Sequence, residues 1–198
     1  MIPTRAQCLF LFDRYQLPSQ KRIHVEAVTK LAIYFANKLI NQNPQPKVGQ
    51  PLAETIKINL ELLQAAALLH DIDKNIPKRE GERHPDTAVR VLKELGFPEV
   101  AEVVAKHSLH FILSHDTTPV SWEEKLLFLS DKMTKYEVIG VEHRFKLWYK
   151  ENLSPDAITE LDASFPKVKL LEQEIYRAAN VTFADVKREF GDVYSLHT

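Results

Sequence analysis

Hydrophobic positions in this chain recur every three or four residues through one segment after another, a spacing that predicts helices from end to end. His24, Val28, Leu31, Phe35 and Leu39 stand at i, i+4, i+7, i+11 and i+15, which is one face of a single helix. A first helix is expected over Arg5 to Tyr15, stopped by Pro18, and a second from the Ser19 to Arg22 region to about Asn41. The stretch Asn41 to Pro51 reads as a loop from its prolines and amides. A third helix, about Leu52 to Asp71, closes on the apolar run Leu62, Leu63, Ala65, Ala66, Ala67, Leu68 and Leu69, and a charged loop from Asn75 to Arg83 leads to His84.

Pro85 suits a first helical position and Gly96 a C-terminal cap, so a fourth helix covers Pro85 to Leu95. Pro98 opens a fifth, to about Leu113. Ser121 with Glu124 forms a capping box for a sixth, expected to continue to about Val138. Two or three more occupy Glu142 to Gly191, with breaks expected near Pro155 and Pro166 and a capping box at Thr182 and Asp185. No stretch shows the two-residue alternation of a strand. The fold class predicted is therefore all-α, a compact multi-helix bundle. Residues 1–152 form its core with the N-terminal helix, and residues 153–198 a helical extension packed on that core through Leu161, Phe165, Val168, Leu171 and Ile175, one domain overall.

Composition narrows the chemistry. At 198 residues and 44% hydrophobic, the chain buries a substantial core without external staples. Its 26 lysines and arginines balance 27 aspartates and glutamates, which gives no electrostatic reason to expect nucleic acid or an anionic membrane as partner. The single cysteine, Cys8, excludes an intrachain disulfide and a multi-thiolate zinc site, so any metal here takes nitrogen and oxygen ligands. The short apolar stretch Cys8 to Phe12 is far from the roughly 20 residues of a membrane span, and a cytoplasmic location is expected. With only five glycines and no glycine-rich phosphate loop, a phosphate would have to be held by metal and basic side chains.

One anomaly then repeats. His70 and Asp71 close the most apolar segment of the chain, where an imidazole and a carboxylate are costly to bury unless paired. His24 lies on the apolar stripe of the second helix. His107 continues the stripe Val100, Val103, Val104, and Asp131 follows Leu127 and Phe128 on one face of the sixth helix. Each alone is equally a core residue bonded to a carbonyl or a salt-bridged helix end. Their order and company, with His84 between them, point to a metal site.

The residues Arg22-Ile23-His24, Leu68-Leu69-His70-Asp71-Ile72-Asp73-Lys74, His84, Ala105-Lys106-His107 and Leu129-Ser130-Asp131 resemble the HD superfamily of metal-dependent phosphohydrolases over roughly residues 20 to 140. The spacing from His84 through Phe97-Pro98 to His107 is similar to the branch whose central motif reads HDIGK, with Asp73 standing here where that branch has glycine. The resemblance implies an all-helical HD-domain bundle in which His24, His70, Asp71 and Asp131 bind one divalent metal. It also implies that His84 and His107 join Asp71, as a bridging carboxylate, on a second. Manganese, iron, cobalt, nickel and zinc suit these ligands, with magnesium through the carboxylates.

The reaction implied is hydrolysis of a phosphate ester of a small phosphorylated metabolite by metal-activated water, with a nucleotide or dinucleoside polyphosphate as the favoured class. Asp71 is then catalytic through the metals and Lys74 through the substrate phosphate. Asp73 is either a general acid or a partner that orients a ligand histidine. Lys74, His110, Arg79 and Arg144 are candidates for substrate binding, and His110 also for assisting His107. Lys78 and Arg83 share the loop with Arg79, while His115, His143 and His197 read as surface residues. The same ligand set also suits a di-iron oxygenase of this fold, or a catalytically silent nucleotide-binding signalling module. The expected partner is the small-molecule substrate, with the protein a monomer or a homodimer.

Overall fold

The computed structural model describes residues 1–42, 56–114, 118–151 and 153–191, and the chain in these segments is helical. The order is α1 (Arg5–Arg14), α2 (Ser19–Gln42), α3 (Leu60–Leu69), a 3-10 turn (Ile72–Asn75), α4 (Asp86–Glu94) and α5 (Pro98–Ala105). A second 3-10 turn (Leu109–Leu113) then leads to α6 (Trp122–Met133), α7 (Val141–Trp148), α8 (Pro155–Ala179) and α9 (Phe183–Phe190). Among the described residues there is no strand, only an isolated antiparallel bridge between Thr134 and Val138. None of the helices described is long and apolar enough to cross a membrane. The expected loop at 41–51, Leu52, His115 and His197 fall wholly or mostly outside the described residues, but residues 56–59 are not helical, so the third helix starts at Leu60, capped by Asn59, rather than at about Leu52.

Helix α3 is the axis of the bundle. Its sequence LELLQAAALL carries three consecutive alanines, whose small side chains let neighbouring helices approach closely, and Leu63 and Ala65 to Leu69 are all buried. Asn59 starts it, its side chain accepting the Leu62 N–H at 3.1 Å. Helices α1, α2, α5 and α6 pack around α3, and α2 turns the predicted face inward: His24, Val28, Leu31, Phe35 and Leu39 are buried. The side chains of Leu161, Val168, Leu171, Ile175 and Val186, from α8 and α9, belong to the same buried cluster.

Three further expected boundaries are corrected, each for a local reason. The fifth helix stops at Ala105 rather than about Leu113, because the Val104 carbonyl, which a continuing helix would offer to Ser108, accepts the His107 backbone N–H at 3.3 Å and its ring Nδ1–H at 2.6 Å. His110 therefore lies on the following 3-10 turn and not on the helix of His107's stripe. The sixth helix stops at Met133 rather than Val138. Thr134 is extended, and the turn that follows folds back so that the Met133 carbonyl accepts the N–H groups of Ile139 and Gly140 at 2.8 and 3.0 Å. The eighth helix runs unbroken through Pro166, which sits on its solvent face while Leu161, Ser164, Val168, Leu171 and Ile175 hold the opposite face in the core. Packing of that stripe outweighs the one hydrogen bond that proline removes.

Gly140 makes the corner into α7. It has φ 82° and ψ 161°, a region open in practice to glycine alone, and an added Cβ would come 2.7 Å from the Phe183 ring of α9. This corner aims the first turn of α7, with Arg144, at the cleft described below. Gly140→Ala is expected to lower stability by about 1–3 kcal/mol, read as the free energy of urea unfolding. An unchanged midpoint would show that the corner tolerates a side chain.

Candidate metal centre

Each candidate ligand is delivered by the end of an element. His70 is the residue at which α3 ends, Asp71 leads into the first 3-10 turn, and Asp131 lies in the last turn of α6. His24 comes from the first turns of α2, His107 from just past α5, and His84 from the loop before α4. Helix ends suit this role because their unpaired backbone carbonyls are free to grip side chains.

Three rings are gripped in that way. His24 Nδ1 lies 2.7 Å from the Lys135 carbonyl oxygen, His70 Nδ1 2.8 Å from that of Ala67, and His107 Nδ1 2.6 Å from that of Val104. A carbonyl can only accept, so in each ring Nδ1 carries the proton and Nε2 presents a lone pair. His84 has its Nδ1 2.9 Å from the Asp73 carboxylate, with the same outcome.

The four Nε2 atoms converge. His24 Nε2 is 3.3 Å from His70 Nε2, and His84 Nε2 is 2.8 Å from His107 Nε2. His24 Nε2 also lies 3.0 Å, and His70 Nε2 3.7 Å, from Asp131 Oδ1, while His84 Nε2 is 3.5 Å from Asp71 Oδ1. Lone pair thus faces lone pair at hydrogen-bonding range, an arrangement that repels unless a cation lies among them. Ligand atoms of His24, His70 and Asp131, of His70, Asp71 and His107, and of Asp71, Asp73 and His84 fall within 4.8 Å of one another in each trio. The donor set, four imidazole nitrogens and the carboxylates, fits divalent transition metals.

Electrostatics keep the set ready to ligate. Burial pushes the His70 imidazole down to about 4, and burial followed by its imidazole neighbours holds His107 well below the ordinary range, so both are neutral near pH 7. Burial alone would raise Asp71, but His70, Lys74 and Lys21 reverse it and hold the carboxylate well below its usual range. Since His70 is itself neutral, the lasting part of that effect comes from the two lysines, whose Nζ atoms each lie 3.0 Å from an Asp71 oxygen. Asp131 is also held low against burial, chiefly by Lys132.

Of the other sequence candidates, Asp73 sits buried behind His84 and Lys74 lies at the cleft, 27% exposed. His110 and Arg144 line the same cleft; the structure does not bring Arg79 there, since its guanidinium pairs with Glu94 at 3.1 Å on the surface, 65% exposed. His143 is exposed. Sequence reasoning missed Lys21, Trp148 and Glu160, which also line the cleft, and the role of Lys132. Lys132 is buried beside Phe128, with its ammonium bonded to Asp131 and, at 2.6 Å, to the His107 carbonyl oxygen. Lys21 had a signal: it stands three residues before His24, on the same face of α2. A larger hollow of about 520 Å3 on the other side of α2, lined by Ile23, Tyr136 and Phe190, holds none of the converging ligands.

A family model described as HD domain matches residues 22–136, a span that contains all the converging histidines and aspartates. No curated protein and no solved structure matches the chain.

The neutral imidazoles make stability depend on pH. His70 titrates near 4 when folded against 6.5 unfolded, so below 6.5 the unfolded chain takes up the proton first and stability falls toward pH 4. For His70 alone the loss is on the order of 3 kcal/mol, and His107 adds to it with the same sign. Urea midpoints of chelator-treated protein should therefore drop steadily across that window. A level curve would overturn the assignment of buried neutral rings.

Proposed function

Because the chain belongs to the HD-domain family, we propose that it is a metal-dependent phosphohydrolase that cleaves the phosphate ester of a small phosphorylated metabolite, with nucleotides and dinucleoside polyphosphates the first classes to test. The observation that carries this reading is the convergence of four Nε2 lone pairs with the Asp71 and Asp131 carboxylates in one cleft rimmed by cations. His24, His70, Asp71 and Asp131 would hold one ion, and His84, His107 and Asp71 a second. When bound, such ions supply Lewis-acid chemistry, drawing the pKa of water from 15.7 toward about 7 and neutralising phosphate charge.

The side chains divide the remaining work. Lys74 stands over Asp71, in position to meet a phosphate oxygen of the substrate. Asp73, with 2% of its side chain exposed, orients His84 and is too deep to meet a leaving group, so the orienting role is the one we assign it. Lys132 fixes Asp131 to the His107 segment and keeps two ligands in register. In the overall reaction a water oxygen bonds to phosphorus, the ester P–O bond breaks, and the leaving oxygen departs as the protonated alcohol or as the shorter phosphate. His110 lines the same cleft, and its ring is a candidate for that proton transfer.

Three measurements test the reading. Purified protein is expected to release phosphate from phosphomonoesters or nucleotides only when supplied with a divalent transition metal. Absence of turnover across a broad substrate and metal panel, or oxygen uptake in place of phosphate release when iron is supplied, would overturn it. Metal stoichiometry, determined by elemental analysis, should be two per chain, falling to one in His84→Ala and to none in Asp71→Ala. Asp73→Asn is expected to weaken the His84-dependent ion by roughly 10–100-fold while leaving the other in place. An unchanged affinity for the His84-dependent ion in that variant would remove Asp73 from the orienting role.

A further inference from the structure

The cleft is longer than one phosphate needs. Beside the hollow of about 330 Å3 that holds the ligands lies a second, of about 420 Å3, and the two share Lys21, His24, Lys74 and Arg144. Each falls within the range of small-molecule sites. The second hollow adds Lys135, Tyr136 and Gln20 to the shared residues, and its wall carries one carboxylate, that of Glu151.

Its cations differ in what they already hold. Lys21 and Lys74 are paired with Asp71 at 3.0 Å each. Arg144 and Lys135 make no ion pair among the described residues. The Arg144 guanidinium lies over the Trp148 ring at 4.4 Å, and its buried Nε has no hydrogen-bond partner among the described residues. A partly buried guanidinium with unused donors is costly unless an anion meets it, and its planar fork matches an oxyanion in two parallel hydrogen bonds. Lys135, from the turn after α6, adds a second positive charge to the same wall.

We propose that this second hollow is a subsite for a second anionic group of the substrate, so that the molecule turned over carries one phosphoryl group at the ligand cluster and another oxyanion, phosphate or carboxylate, held by Arg144 and Lys135. The identity of the first group rests on the phosphohydrolase reading; the second follows from the cations alone. A substrate with a single phosphate leaves the Arg144 donors unmet and binds less tightly than one that reaches both hollows.

Calorimetry on the metal-loaded protein tests this without turnover. The probes are inorganic phosphate, methylene- and propylene-diphosphonate, which carry two phosphoryl groups at different spacing and resist hydrolysis, and phosphonoacetate, which pairs a phosphoryl group with a carboxylate. At least one two-anion probe is expected to bind about tenfold more tightly than phosphate, and that advantage should fall at least about fivefold in Arg144→Gln and in Lys135→Gln. Lys135 is exposed, so its variant stands even if that of Arg144 fails to fold. Preference for the diphosphonates identifies the second group as phosphoryl, and equal preference for phosphonoacetate identifies it as any oxyanion. Equal affinity for phosphate and every two-anion probe, or an advantage untouched in the folded variants, overturns the subsite. If no phosphate ester is turned over yet the two-anion preference persists, the phosphohydrolase reading falls and the subsite remains; turnover without the preference has the reverse meaning.

Discussion

Everything at the ligand cluster depends on what the far nitrogen of each histidine does. A buried imidazole has one proton and two nitrogens, and a carbonyl oxygen set against Nδ1 decides where the proton goes. Val104, Ala67 and Lys135 make that choice for His107, His70 and His24, and the Asp73 carboxylate makes it for His84. The backbone therefore governs the chemistry of the side chains. It also fits the placing of these rings at helix ends, where carbonyls are left without an intrahelical partner.

That coupling marks the boundary of what the sequence discloses. The apolar stripes of α2 and α3 are strong and regular, so these helices, and the inward direction of His24 and His70, were legible from spacing. The capping boxes at Ser121 and Thr182 placed two helix starts correctly. The ends of α5 and α6 were not legible, because the competitor that stops each is a contact made in three dimensions: a ring against the Val104 carbonyl, a turn folded onto the Met133 carbonyl. Pro166 misled for the converse reason, since a local breaker was outweighed by packing along twenty-five residues.

The converging histidines and aspartates were readable because a buried histidine or aspartate is conspicuous in an apolar run. The cations around them were not. A lysine on a helix is ordinarily solvated; the place of Lys21 three residues before His24 is a weak signal, and nothing in the neighbourhood of Lys132 distinguishes it from a solvated lysine. Only the fold reveals that Lys21 and Lys74 neutralise Asp71, or that Lys132 is buried between two ligand segments. Arg79 shows the opposite error, a basic residue in the right loop whose side chain is turned to Glu94.

The turn after α6 has a topological meaning as well. By presenting the Lys135 carbonyl to His24, and with Asp131 on the same ring's other nitrogen, it closes a loop between residues more than a hundred positions apart in sequence. The ligands come from the start, middle and end of the family region, so an ion held there cross-links the chain across its most distant parts. Such a cross-link acts against the unfolded ensemble, much as a disulfide would, in a chain whose one cysteine allows none. The same atoms that would hold an ion then also set how readily the bundle comes apart.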